Sequence, residues 1–309
     1  MSSAGESTDN GTRVIMWCVP RSVSTALTKC LSAIQGMEIH FEPYAYSYVA
    51  KRSYKVFSGC DIPKVYEGNE EAFDKTARIV SADFDSYVDP KRLAYASVKK
   101  RLETSSSKHV FVKDMGSGMA DDTFQFLPDK YQHTFLIRNP IRTINSYRRA
   151  IYNHNNQLGL LEGEAANEQT FNVERDYRSF PHGYYMKELY SIWKYVGENI
   201  DRSPIVIDAD DLLAKPAGIL SAYCSAVGLP YNQSLLKWDA STESVKSWKA
   251  AGDNVVHDLV HFYGTAARSS EFLLASKLPP RESLTPDVIR CSERVMKYFD
   301  EMYESRLTV

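Results

Sequence analysis

The sequence of 309 residues has no run of about 20 apolar residues, the length that a membrane span needs. Its opening MSSAGESTDNGT lacks the basic start and apolar stretch of a secretory signal, so a cytoplasmic location is the expectation. Cysteine is scarce: Cys18, Cys30, Cys60, Cys224 and Cys291 are odd in number, scattered and without CxxC spacing. That pattern argues against a disulfide framework or a zinc knuckle and reads as free thiols, mostly buried. An excess of either charge is also missing: a formal charge of -2 gives no global pull toward nucleic acid, so any anion site must be a local cluster of arginine and lysine. Finally, the first strand-to-helix junction, WCVPRSVSTAL, has neither glycine nor lysine, and the phosphate loop GxxxxGK[ST] is absent.

What is present is an alternation. Short β-branched or aromatic runs, RVIMWCV (13–19), EIHF (38–41), HVFVKDM (109–115), HTFLIRN (133–139) and PIVID (204–208), recur between helical patterns. Strands alternating with helices predict a single α/β domain over 13–309, a three-layer sandwich around a central parallel sheet, behind a disordered tail at 1–12. Asn139-Pro140 supplies a capping residue and a first-turn proline for one helix; Lys215-Pro216 opens another that Gly228 closes. Tyr185, Leu189, Ile192, Trp193 and Val196 form a stripe of helical period, read as core. Residues 157–181 and much of 52–76 read as polar and irregular, with the character of substrate-covering insertions or of linkers.

The chemistry concentrates at strand ends. A helix beginning at Val23 or Ser24 aims its unpaired N–H groups at the preceding loop, where Arg21, Ser22, Ser24 and Thr25 add a cation and hydroxyl donors. That suits a phosphate without a divalent metal; the loop alone fits equally well a plain helix start with a surface arginine. In FLIRNPIRTINSYRR, Arg138 ends a strand and Ser146 lies about two turns into the next helix, a fork and a hydroxyl for a second phosphate at some distance from the first. Taken alone, Arg138 fits a structural ion pair equally well.

Together, the PRSxST loop, the RNP with a serine eight residues on, and ADDLLAKP after a later strand resemble the sulfotransferase superfamily over roughly residues 13–230. The resemblance implies a P-loop-like fold using 3′-phosphoadenosine 5′-phosphosulfate (PAPS) as co-substrate and no metal. It implies that Arg21, Ser22, Val23, Ser24, Thr25 and Ala26 hold the 5′-phosphosulfate, and Arg138 and Ser146 the 3′-phosphate. The lysine, glycine and KTH histidine of the estrogen and phenol type are replaced by Arg21, Val23 and VKDM. The chain looks more like the branch with tyrosylprotein sulfotransferases and bacterial and plant PRSxSTA proteins, where a glutamate about twenty residues after the loop is the base. Glu42 in HFEPY stands 21 residues past Arg21.

Sulfuryl transfer builds negative charge on the leaving oxygen, so a base is needed on the entry side and cations on the exit side. The resemblance therefore implies Glu42 as base, with Arg21 and Lys113 as charge stabilisers. His40 is an alternative base or an orienter of Glu42, and Lys113 could instead pair with Asp114. Lys246, Lys249 and Arg268 fall where the family places a loop over the 3′-phosphate, with Arg268 preferred. Tyr44, Tyr46, Tyr48 and Tyr54 follow the base and would suit an aromatic acceptor lining. The i, i+4 pair His257/His261 has zinc-helix spacing but reads as a helix face. The expected partner is a small-molecule acceptor, with no nucleic acid and no membrane; a homodimer stays open. Rival readings are a catalytically silent nucleotide-binding relative and an ATP-dependent kinase.

Overall fold

A computed structural model describes residues 11–177, 180–253, 256, 263, 266 and 268–309. Five strands, β1 (Arg13–Cys18), β2 (Met37–Phe41), β3 (His109–Met115), β4 (Gln132–Ile137) and β5 (Ile205–Asp208), form one sheet in the order β2-β3-β1-β4-β5. Each neighbouring pair is parallel. All five runs read as strands from their composition are strands.

The central strand shows why the domain has three layers. Val14 to Cys18 are fully buried, and the period-2 alternation divides them: Val14, Met16 and Cys18 enter one apolar core, Ile15 and Trp17 the other. Helix α1 (Ser24–Ser32) covers the first face with Leu27, Cys30 and Leu31, joined there by the helix Pro216–Val227. The opposite face is covered by α4 (Tyr95–Glu103), α5 (Pro140–Gln157) and the helices Met186–Asn199 and Pro286–Glu304. Asn139 caps α5, its side chain accepting from the Ile141 amide, and Gly228 closes Pro216–Val227 in the left-handed region at φ 72°.

One reading of the sequence needs correcting. Most of 52–76 is not irregular: α2 runs over Pro43–Ser58 and α3 over Glu70–Phe84. Phe73, Thr76, Ala77 and Val80 form an i, i+3, i+4, i+7 buried stripe in α3, masked in the sequence by a threonine and an alanine that count as weakly apolar. The stretch after residue 157 does remain largely irregular, with short helical turns at Gly163–Ala166 and Val173–Asp176. It is packed down: buried Arg148 on α5 donates to the carbonyls of Glu168 and Phe171 and pairs with buried Asp287 of the C-terminal helix. Thr12 is also tied in, its hydroxyl donating to the Gly228 carbonyl.

Both edges of the sheet are covered by later parts of the chain. Lys249 pairs with β2, donating to the Ile39 carbonyl and accepting from the Phe41 amide. Leu307 donates to the Val206 carbonyl of β5. Among the described residues no helix is long and apolar enough to cross a membrane. Cys18, Cys30, Cys224 and Cys291 are buried free thiols and Cys60 is exposed.

Candidate active site

The chain leaves β1 toward β2 but leaves β3 for β4, on the far side of β1. The crevice outside the carboxyl ends of these strands is the usual ligand position in an open parallel sheet. The loop from Val19 to Val23 sits there. It turns through Arg21 at φ 65° and Val23 at φ 69°, both left-handed, a conformation glycine normally supplies. A non-glycine residue held so costs on the order of 1–3 kcal/mol, and a β-branched valine is an outlier even among these. The missing glycine is therefore not evidence of an extended loop; the turn is made with strain. Val23→Gly is expected to raise stability by about 1 kcal/mol, seen as a higher denaturant midpoint with an unchanged m-value. A fall in midpoint would refute the strain.

Val23 precedes the first turn of α1 without a side-chain cap, which leaves the N–H groups of that turn to the crevice. A cavity of about 290 Å³ opens against them, at the lower end of the range for ligand pockets. It is lined by Arg21, Val23, Ser24, Thr25, Ala26, Lys113, Arg138 and Ser146, so eight of the residues expected from the sequence share one wall. Ser22 does not line it: fully buried, its hydroxyl donates back to the Val19 carbonyl at 2.7 Å and braces the turn.

The two expected anion subsites are closer than the sequence suggested. Arg21 Nε donates to Ser146 Oγ at 3.0 Å, and Arg138 Nη1 donates to the Arg21 carbonyl at 3.1 Å. The second element is not remote from the first, because α5 starts directly after β4 and β4 lies beside β1. Burial and the neighbouring Arg138 guanidinium both press the Arg21 pKa down. Two guanidinium groups in one another's field are relieved by an anion between them. Asp210, in the first turn of the helix Ala209–Ala214, grips the second of them: Arg138 Nε is 3.1 Å and Arg142 Nε 2.7 Å from its two oxygens.

Glu42 is a third left-handed residue, at φ 57° between β2 and α2. Its amide donates to the Lys113 carbonyl at 2.6 Å, and its carboxylate forms an ion pair with the Lys113 ammonium. The pair is enclosed, the lysine side chain 1% and the glutamate side chain 10% exposed. Burial works against the charge on Lys113, but Cys18, Glu42 and Asp114 together outweigh it and raise its pKa. Lys113 thus pairs with Glu42 and not with Asp114. Asp114 instead caps α2, accepting from the amides of Tyr44 and Ala45 and from that of Met115. Burial pushes its pKa up to about 7 against the pull of these amides. Glu42 is not itself among the residues on the cavity wall; it stands behind Lys113 and Tyr263, which are.

Several expectations fall elsewhere. His40 is buried and bonds Glu38 at 2.6 Å, with burial lowering its pKa, so it does not orient Glu42. Strand alternation puts both on one face, but β2 ends at Phe41 and the left-handed turn at Glu42 swings that carboxylate away. Lys246 pairs with Glu243 and Lys249 with Glu38, while exposed Arg268 is not on the cavity wall, although Ala266 and Ser269 beside it are. None of Tyr44, Tyr46, Tyr48 and Tyr54 lines the cavity; Tyr44 and Tyr46 belong to the core. His257 and His261 lie outside the described residues, among which no group of three or more His, Cys, Asp or Glu could hold a metal ion. Sequence reasoning did not single out Tyr263 or Leu273 to Ser276 on the wall, whereas Leu213 on the wall and Asp210 both lay within the noted ADDLLAKP.

Residues 198–281 match the family model for the sulfotransferase domain. That stretch, about a quarter of the chain, is similar to a sulfotransferase domain. The matched stretch carries β5, Asp210, the Lys249 edge pairing and Tyr263, while the arginine loop, Glu42, Lys113 and Arg138 lie before it. A curated relative, the branched-chain-amino-acid aminotransferase-like protein 2 of Arabidopsis thaliana, is 25% identical over 224 residues, 72% of this chain. The chain spans 31% of that relative's length. Among solved structures it is similar to the sulfotransferase domain from the curacin biosynthetic pathway, at 12% identity and TM-score 0.44, covering 92% of this chain and 98% of that one. It is also similar to mouse sulfotransferase SULT7A1 complexed with PAP, at 12% identity and TM-score 0.47, covering 95% and 87%.

Proposed function

We propose that the protein transfers a sulfuryl group from PAPS to a hydroxyl or amine of a small-molecule acceptor, in the cytoplasm and without a metal ion. The observation that carries this is that two guanidiniums, one ammonium, six hydroxyl-bearing side chains and an uncapped helix N-terminus line one cavity. That donor set fits a ligand with two anionic groups. Arg21, Ser24, Thr25 and the first-turn amides of α1 would hold the 5′-phosphosulfate; Arg138 and Ser146 would hold the 3′-phosphate. The co-substrate supplies an activated sulfur. The acceptor oxygen or nitrogen forms a bond to that sulfur as the bond to the bridging oxygen breaks, and the electron pair leaves with 3′,5′-bisphosphoadenosine.

The chain's own residues do the rest. Glu42 takes the acceptor proton, and Lys113 and Arg21 stabilise the charge that gathers on the leaving oxygen. Lys113 reaches both the carboxylate and the cavity wall, so an anion in the cavity draws the ammonium forward and leaves Glu42 to its proton.

Calorimetry tests the reading directly. Binding of 3′,5′-bisphosphoadenosine without added metal is expected; tight magnesium-ATP binding with none of the bisphosphate would defeat it in favour of a kinase. Arg138→Ala is expected to weaken the bisphosphate by about tenfold or more while leaving adenosine 5′-phosphate within about twofold, since loss of a charge-assisted contact costs roughly 1.5–3 kcal/mol. Equal losses for both ligands would remove Arg138 from the 3′ position.

A further inference from the structure

Each oxygen of the Glu42 carboxylate has a different partner. Oε1 faces the Lys113 ammonium, whereas Oε2 accepts from the Tyr263 hydroxyl at 3.3 Å. Tyr263 comes from a part of the chain 221 residues away and shares the cavity wall with Arg21 and Lys113. Its ring stands edge-on to Phe41, the residue before Glu42, with centroids 5.2 Å apart and planes at 89°. Burial, and next to it the facing Glu42, hold its phenol well above the ordinary value, so the hydroxyl is a proton donor at neutral pH. The ring is fixed against the end of β2, and this places the hydroxyl on the one oxygen that Lys113 does not engage.

We propose that Tyr263 is a positioning residue for Glu42, holding the carboxylate in the rotamer that presents it toward the cavity when Lys113 turns to the anion. This rests on Glu42 acting as base in the proposed sulfuryl transfer. A carboxylate held by the lysine alone would follow the lysine. Held also by a phenol on the cavity wall, it keeps its place while the lysine moves. Tyr263 forms and breaks no covalent bond and keeps its own proton. Its hydroxyl acts on turnover through Glu42 and not on the affinity for the nucleotide.

The test uses Tyr263→Phe, which keeps the ring on Phe41 and removes only the hydroxyl. Bisphosphate affinity is measured by calorimetry, and turnover as release of labelled sulfate from PAPS with water as acceptor, in wild type, Tyr263→Phe, Glu42→Gln and the double variant. The expected result is a fall of about tenfold in kcat for Tyr263→Phe with the bisphosphate Kd within about twofold, and no further fall when it is added to Glu42→Gln. An unchanged kcat would overturn the proposal. So would an equal loss in both backgrounds, which is the signature of a residue that merely packs. If the wild type binds no bisphosphate, the sulfotransferase reading falls and this inference with it; if it binds and turns over but Tyr263→Phe is silent, only this inference falls.

Discussion

Replacing Lys113 with methionine is expected to lower the free energy of unfolding by about 3–5 kcal/mol, and adding Glu42→Gln to the same chain to recover more than half of it. The reason is asymmetric. Lys113 lies near the carboxyl end of β3, an interior strand, its ammonium buried and 4.6 Å from the centroid of the Phe41 ring. Removing it leaves the enclosed Glu42 carboxylate without the opposite charge that offsets its lost hydration. Removing the second charge as well takes away the desolvation penalty along with the attraction. Urea unfolding of the wild type, both single variants and the double variant measures the cycle. A loss below about 1 kcal/mol for Lys113→Met would mean that water reaches Glu42 and that the pair behaves as a surface one. This outcome does not depend on any substrate, so it checks the site's electrostatics separately from its chemistry.

The second large effect is on turnover. Glu42→Gln is expected to reduce sulfuryl transfer by about a hundredfold or more while the bisphosphate still binds, because a positioned general base contributes roughly 10²–10⁴ in rate. Glutamine keeps the shape and the hydrogen-bond acceptor but cannot take the acceptor proton. Undiminished transfer would remove Glu42 from the base position and leave the anion cavity intact. Loss of bisphosphate binding in the same variant would mean that the carboxylate shapes the phosphate site through Lys113, a binding role and not a proton-transfer one.

The sheet was legible in the sequence because parallel strands buried on both faces are continuous apolar runs, and RVIMWC and HVFVKDM are such runs. The cavity wall was legible because strand ends in this architecture converge, so PRSxST and RNP far apart in the chain meet at one crevice. Helix α3 was not legible, since a stripe built on threonine and alanine carries little apolar contrast. Neither was the fate of Ser22: a hydroxyl in an anion loop reads as a ligand, and only the backbone turn reveals that it braces Val19. The partners of Glu42 were half legible. Lys113 lies two residues before the end of β3 and Glu42 just past β2, which pairs with β3, so their meeting follows from strand order; Tyr263 comes from a region with no local pattern to announce it.

The closing of the two sheet edges has a consequence for synthesis. By residue 208 all five strands have been made, but the segments that lie along the outer two, at Lys249 and Leu307, come later. A chain emerging from the ribosome therefore passes through lengths at which the sheet can pair internally while both rims still offer bare amides and carbonyls. Such rims are templates for joining another chain, and exposure lasts for as long as translation takes to supply the missing cover. The last hundred or so residues bring Tyr263 to the cavity wall, and they also end the period in which a nascent copy can be captured by its neighbour.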